Sequence, residues 1–174
     1  MINVVEISLI QFEVFDNGDR LLGLANVTLP EFTFKTVEVS GAGISGSIDW
    51  PLRGQTDNMT ATFNFRVLYN SAVQFLRQDE AIYLSCRGAK ESYDSGTGDR
   101  KVTALRIDLR GHTTKLNLGK MEPGAAMDSE VEFAVDRINI LEDGVTILER
   151  DLFNNIHNVG GTDYLSAVRR AVGL

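Results

Sequence analysis

Long runs in which apolar and polar residues alternate constrain this chain more than any other feature of its sequence. From Thr60, the residues Ala61, Phe63, Phe65, Val67 and Tyr69 fall on one side, and Thr62, Asn64 and Arg66 on the other. An extended strand points successive side chains to opposite faces, whereas a helix would scatter this pattern around its whole circumference. The period returns in KVTALRIDLRG, with Thr103, Leu105, Ile107 and Leu109 on one face and Arg106, Asp108 and Arg110 on the other. It returns again where Val131, Phe133 and Val135 oppose Glu130, Glu132 and Asp136. Such strands cover a core with one face and meet water with the other, as antiparallel sheets commonly do. The first stretch departs from the rule: Ile7 and Leu9 with Ile10, Phe12 and Val14 make it apolar on both faces.

Turn residues divide these strands. Asn17-Gly18 and Asp143-Gly144 are hairpin signals, because both central positions of a tight hairpin turn need positive φ. Pro30 closes the strand LLGLANVTL, since proline cannot donate to a ladder. FTFKTVEVS follows, with Phe32, Phe34 and Thr36 on one face. Residues Ser40 to Asn58 then carry four glycines and Pro51 without a sustained period, and read as a long loop. A loop of that length is unusual in a compact domain unless it has work to do. SAVQFLRQ reads as a short helix capped by Asn70 or Ser71, with Val73, Phe75 and Leu76 available for burial. AIYLSCRG is a further strand, and Ala89 to Arg100 and Lys115 to Asp128 read as connections. At the end, Thr162 suits an N-cap, Leu165 and Val168 share a helical face, Arg169 and Arg170 sit at the negative end of the dipole, and Gly173 suits the C′ position. Seven or eight strands and two helices imply a mainly β fold, an antiparallel sandwich or barrel with one short packed helix and a C-terminal helix. It forms a single domain over 1–174, with a long loop at about 40–58 and a C-terminal arm at about 151–174.

Size and composition exclude several classes of protein. The 174 residues suit one domain, and 43% hydrophobic with 24% charged residues is ordinary for a soluble globular chain. No apolar run approaches the roughly 18 to 20 residues that span a bilayer, so no membrane insertion is expected. The N-terminus lacks a basic segment and is interrupted by Glu6 and Glu13, so it does not read as a signal peptide, and synthesis in the cytoplasm is expected. The single cysteine, Cys86, excludes an intrachain disulfide and sits in an apolar run as a buried thiol. A net charge of −7 argues against holding nucleic-acid phosphates, although an acidic conduit could let DNA pass.

The candidate chemistry is thin. Gly41-Ala42-Gly43-Ile44-Ser45-Gly46 is a literal GxGxxG after a strand, but Pro51 and the lack of helical period beyond it leave no helix N-terminus for a pyrophosphate. His112 and His157 stand alone, without ligand spacing for a metal. Glu130/Glu132 and Glu142/Asp143 read as solvated sheet and turn positions, and the one tryptophan, Trp50, lies in the glycine loop rather than on a sugar platform. Ser71, Ser85 and Ser166 have no nucleophile-elbow context. No catalytic residue, metal or cofactor is expected. Apart from a structural subunit, the alternative is a monomeric β-sandwich that binds a ligand, disfavoured by the scarcity of exposed aromatics.

Two stretches carry a family resemblance. The last 26 residues have the framework Glu149, Asp151, Asn154, Ile156, Val159, Gly161, Asp163, Leu165, Arg169, Arg170, Gly173 and Leu174, and Thr28-Leu29-Pro30 precedes the Gly41 to Ser47 loop. Both resemble the major tail tube proteins of contractile-tailed phages and of R-type contractile bacteriocins. The resemblance implies a structural role: six subunits close into a ring, their sheets merge into an inner β-barrel, and rings stack into a hollow tube that crosses the target cell envelope. Sheath protein would lie outside, tape measure protein inside, and baseplate and tail terminator at the ends, with DNA only as passing cargo. It also implies that Gly41, Gly43, Ile44, Gly46 and Trp50 reach a neighbouring ring. Asp163, Arg169, Arg170 and Leu174 are expected to contact the next subunit. If the polar strand faces line the lumen, Asn64, Arg66, Arg106, Asp108, Glu130, Glu132 and Asp136 would form its wall.

Overall fold

The computed structural model describes residues 3–21, 23–67 and 70–174. Tyr69, expected on the apolar face of its strand, lies outside them. β1 (Val4–Asp16) turns at Asn17-Gly18, with φ of 48° and 99°, into β2 (Asp19–Leu21), so the Asn-Gly hairpin forms. The strand expected over LLGLANVTL is divided. After β2 the chain leaves β1, and β3 (Leu24–Thr28) pairs instead with β6, with Gly23 at φ 83° between them. Positive φ at Gly23 breaks the extended run, which a strict alternation count does not detect.

β4 (Phe34–Val39) and β5 (Ile48–Thr56) correct the expectation of a loop over 40–58. They form a separate two-stranded antiparallel sheet, and only residues 40–47 connect them. Pro51 is tolerated because each strand of a two-stranded ribbon has a free outer edge, where a missing N–H costs no ladder bond. β6 (Met59–Phe65) precedes a short helix, α1 (Asn70–Gln74). Of the helical residues expected to be buried, Phe75 is, but Val73 and Leu76 are exposed. β7 (Ile82–Asp94) and β8 (Arg100–Asn117) both extend into stretches expected to be connections, leaving residues 95–99 as the turn. β9 (Ser129–Glu142) and β10 (Val145–Asp151) meet at Asp143-Gly144, with φ of 46° and 81°. β11 (Ile156–Val159) and β12 (Thr162–Asp163) follow, then α2 (Ser166–Ala171). Thr162 is therefore a strand residue and not an N-cap; Leu165 holds that position without a side-chain cap. Gly173, at φ 84°, sits just past the C-cap Val172, as expected.

The main sheet runs β12-β11-β10-β9-β8-β7-β1-β2, all antiparallel neighbours. β9 joins two layers: β8 runs along one edge, while the other pairs with β6 over Ser129–Val135 and with β10 from Arg137 onward. Register shifts at Arg110/Gly111 and Thr113/Lys115 bend the ribbon, as bulges do. Gly111 is required there, since a Cβ would run into the main-chain carbonyl of Ala134.

The core lies inside this bend. Met59, Ala61, Phe63 and Phe65 of β6 and Val131, Phe133 and Val135 of β9 pack in one cluster with Val14, Ile82, Leu84, Cys86, Ile107, Leu109 and Ile138. Phe63 meets Phe133 edge-on at 6.2 Å, and Phe75 closes the cluster against Phe63 and Phe65, both at 6.1 Å. Burial raises the Cys86 thiol pKa to about 12, so it packs as a small apolar side chain. Phe133→Ala should lower unfolding stability by about 3–5 kcal/mol through lost burial and a residual cavity, read as a fall in the urea midpoint.

Candidate assembly surfaces

The core covers only part of the sheet. From Val4 to Gln11, β1 is exposed on both faces, and Ile7 retains 56% of its accessible surface. One edge of this strand pairs with β7; the other meets β2 only at Val14–Asp16. Among the described residues, Val4 to Phe12 have no ladder partner on that second edge. A bare, apolar edge of this length templates pairing with another strand.

The β4–β5 hairpin forms a second uncovered element, an arm. Every residue of β4 is exposed, and Trp50 on β5 is 59% exposed. At its tip, Gly43 and Gly46 have φ of 92° and 122°, and the amides of Ile44 and Gly46 bond to the carbonyls of Gly41 and Ile44. This compact turn presents the Ile44 side chain outward. Thus Gly41, Gly43, Ile44, Gly46 and Trp50, singled out from sequence, lie together on one projecting hairpin.

The arm is fastened to the body at its base. Arg150 of β10, only 2% exposed, donates to the carbonyl of Gly54 at 2.5 Å and to that of Ile156 at 3.1 Å. Gly54 has φ 68°, and the side chain of Leu165, 3% exposed, lies where a Cβ would stand. Phe34 packs edge-on against His157 at 6.0 Å, and His157 lies 6.3 Å from Tyr164. Burial, with the Arg150 charge nearby, lowers the His157 pKa, while Asp163 opposes the shift. Arg150 was not legible as functional from sequence, because nothing distinguishes it from any other polar strand position.

Within the subunit, the tail is bonded around Asp163 and Arg169. Asp163 accepts from the amides of Leu165 at 3.0 Å and His157 at 3.4 Å and from Arg169 at 2.5 Å, while Arg169 also donates to the carbonyl of Asn155 at 2.7 Å. Satisfying the tight β11–β12 turn occupies both side chains locally. Arg170 and Leu174 stay exposed, Leu174 at 75%.

The side chains proposed for a lumen wall all point away from the core. Arg106 bonds to Asp108 at 2.8 Å, Arg110 to Asp136 at 2.5 Å, and Lys115 to Glu132 at 2.5 Å with Glu130 at 3.5 Å. Asn64 donates to Asn26 at 2.6 Å, while Arg66 is exposed beyond the end of β6. Because the β8–β9 ribbon bends, Asn64, Glu130 and Glu132 lie on its half beside β6, whereas Arg106 and Asp108 lie on its half beside β7. The hydrogen bond from Lys115 to Glu132 raises the lysine's pKa. Burial would lower that of Arg110, but Asp136 and Asp151 hold it above its ordinary value. These are pairs of opposite charge on a wetted sheet face, each worth little individually.

Residues 6–173 match the family of the phage tail tube protein FII. The chain belongs to that family. It is 27% identical over 165 residues to the tail tube protein of Escherichia phage P2, covering 92% of this chain and 94% of that one. Its fold is similar to that of a sheath/tube terminator from the extracellular contractile injection system PVC in its extended state, with TM-score 0.56 at 14% identity, over 78% of this chain and 96% of the other. A weaker likeness, TM-score 0.46 at 10% identity over 77% of this chain and 93% of the other, is to a component of the anti-feeding prophage baseplate. The family is structural rather than enzymatic, and its members belong to contractile tails. Among the described residues, no group of three or more His, Cys, Asp or Glu could hold a metal, and no helix is long and apolar enough to cross a membrane.

Two carboxylates make the tail junction sensitive to acid. Arg169, with the amides of Leu165 and His157, holds Asp163 below the ordinary value of 3.8. Burial would raise Asp151, but bonds from Asn154 and the nearby Arg110 and Arg137 bring it below that value. A depressed carboxylate stabilises the fold above its unfolded pKa, and the contribution disappears as pH falls through the folded one. Between about pH 5 and pH 2, exchange of the Leu165 amide should therefore accelerate relative to core amides. Asp163→Asn should remove much of that pH dependence, measured by hydrogen exchange with mass spectrometry.

Proposed function

We propose that this chain is the inner-tube subunit of a contractile tail, closing into hexameric rings that stack into a hollow conduit through a target cell envelope. The observation that carries the reading is the pair of uncovered apolar elements, β1 from Val4 to Ile10 and the β4–β5 arm, on an otherwise well-packed sandwich. Contiguous exposed apolar surface beyond a few hundred Å² marks an interaction site. Ring closure would cover a bare sheet edge around a closed symmetry.

In this assembly β1 lies at the seam between neighbours in a ring, and the arm, with Ile44 and Trp50, reaches the adjacent ring. The tail fastens the arm, so Asp163 and Arg169 act on stacking through their own subunit, and Arg170 and Leu174 are left to meet a neighbour. The outward faces of β6, β8 and β9 supply the wall residues Asn64, Arg66, Arg106, Asp108, Glu130, Glu132 and Asp136. Sheath protein surrounds the tube, tape measure protein occupies it during assembly, and baseplate and terminator close its ends. The particle is a phage or a bacteriocin, and in a phage DNA is its passing cargo.

The test is purified protein by negative-stain microscopy. Rings or hollow filaments are expected, and a monomer that never assembles across concentration and salt contradicts the proposal, favouring a ligand-binding sandwich. Ile7→Asp with Ile10→Asp should abolish rings while changing stability by no more than about 0.5 kcal/mol per site, as exposed substitutions do.

A further inference from the structure

We propose that Arg150 is a positioning residue, a latch that sets the pose of the β4–β5 arm for assembly rather than a contributor to fold stability. The proposal rests on the tube reading above. A fully desolvated guanidinium is costly unless it is well paired, and replacing such a group with an apolar side chain is often neutral or stabilising. Among the described residues, no carboxylate bonds to Arg150; Asp151 is near, but accepts from Asn154 and forms its ion pairs with Arg110 and Arg137. The guanidinium spends its donors on two main-chain carbonyls from different elements, Gly54 of the arm and Ile156 of β11. Burial lowers its pKa, with the nearby Asp151 charge opposing the shift.

Gly54 is the point at which a latch would act. The β4–β5 register jumps between Phe34/Thr56 and Thr36/Pro51, so residues 52–55 bulge out of the hairpin, and bulges set the direction of a strand. Holding the Gly54 carbonyl fixes the arm at its bend, from which Ile44 and Trp50 project. A two-pronged donor that ties a carbonyl of the arm to one of the body is suited to setting geometry.

The experiment measures the arm directly in the full chain. Spin labels are placed at Ile44→Cys and His112→Cys, with the buried Cys86 thiol resisting labelling at neutral pH. In otherwise unaltered protein the inter-label distance is expected to be narrow. Arg150→Met should broaden it and abolish ring stacking, with the melting temperature held or raised. Arg150→Lys, which keeps the charge but loses the planar fork, should also broaden it and serves where the methionine variant does not fold. Phe133→Ala, in the core and outside the anchor, should lower the melting temperature while the distance stays narrow. A narrow distance in the Arg150 variants overturns the proposal, as does broadening in Phe133→Ala equal to that in Arg150→Met. Unaltered protein that never assembles defeats the tube reading, but the distance distributions still decide the latch.

Discussion

The pairing of β8 with β9 is the constraint on which the rest of the structure hangs. The two strands run together from Leu105/Glu142 to Asn117/Glu130, and every other element of the main sheet attaches to one of them directly or through a neighbour. Along the inward side, Ile107, Leu109, Val131, Phe133, Val135 and Ile138 form much of the core; along the outward side run the ion pairs of Arg106, Arg110 and Lys115. The bulges that bend the ribbon let one long pair of strands serve both layers of a sandwich. That bend depends on Gly111, because nothing larger fits against the Ala134 carbonyl.

This architecture divides the chain into a body that closes on itself and elements that do not. β6, β9 and the inner halves of β7 and β8 bury their apolar faces against one another. β1 continues past the end of the core with apolar residues on both faces, and the arm is a two-stranded ribbon exposed along most of its length. Two-stranded sheets are marginal alone in water, so an arm of this kind needs either an anchor or a partner. The anchor is visible in Arg150, Gly54 and Leu165; a partner is what a self-assembling tail subunit would supply.

What could be read from the sequence follows from how each feature is encoded. Alternation at Ala61–Phe65, Thr103–Leu109 and Val131–Val135 identified the strands and their buried faces, because a half-buried strand writes its environment into every second residue. The Asn17-Gly18 and Asp143-Gly144 turns were legible because positive φ selects those residues. The arm was missed as a hairpin because neither face is buried within the subunit, so no alternation marks it, and Pro51 looked like a breaker. Thr162 was misread as a cap because a threonine before an acidic residue suits a tight strand turn as well as a helix start. The tail was legible as a family signature, but its grip on the arm was not: Leu165 packs over the Cα of Gly54 and Arg150 donates to the Gly54 carbonyl across about a hundred residues of chain, which no local pattern records.

In the proposed tube, the bare edge of β1 is covered by another copy of the chain. Hydrogen exchange of the β1 amides from Val4 to Phe12, compared between dilute monomer and assembled particles, tests it most directly. Amides on the edge away from β7 should exchange freely in the monomer and become as protected as those of β8 on assembly. Equal, rapid exchange in both states would contradict it.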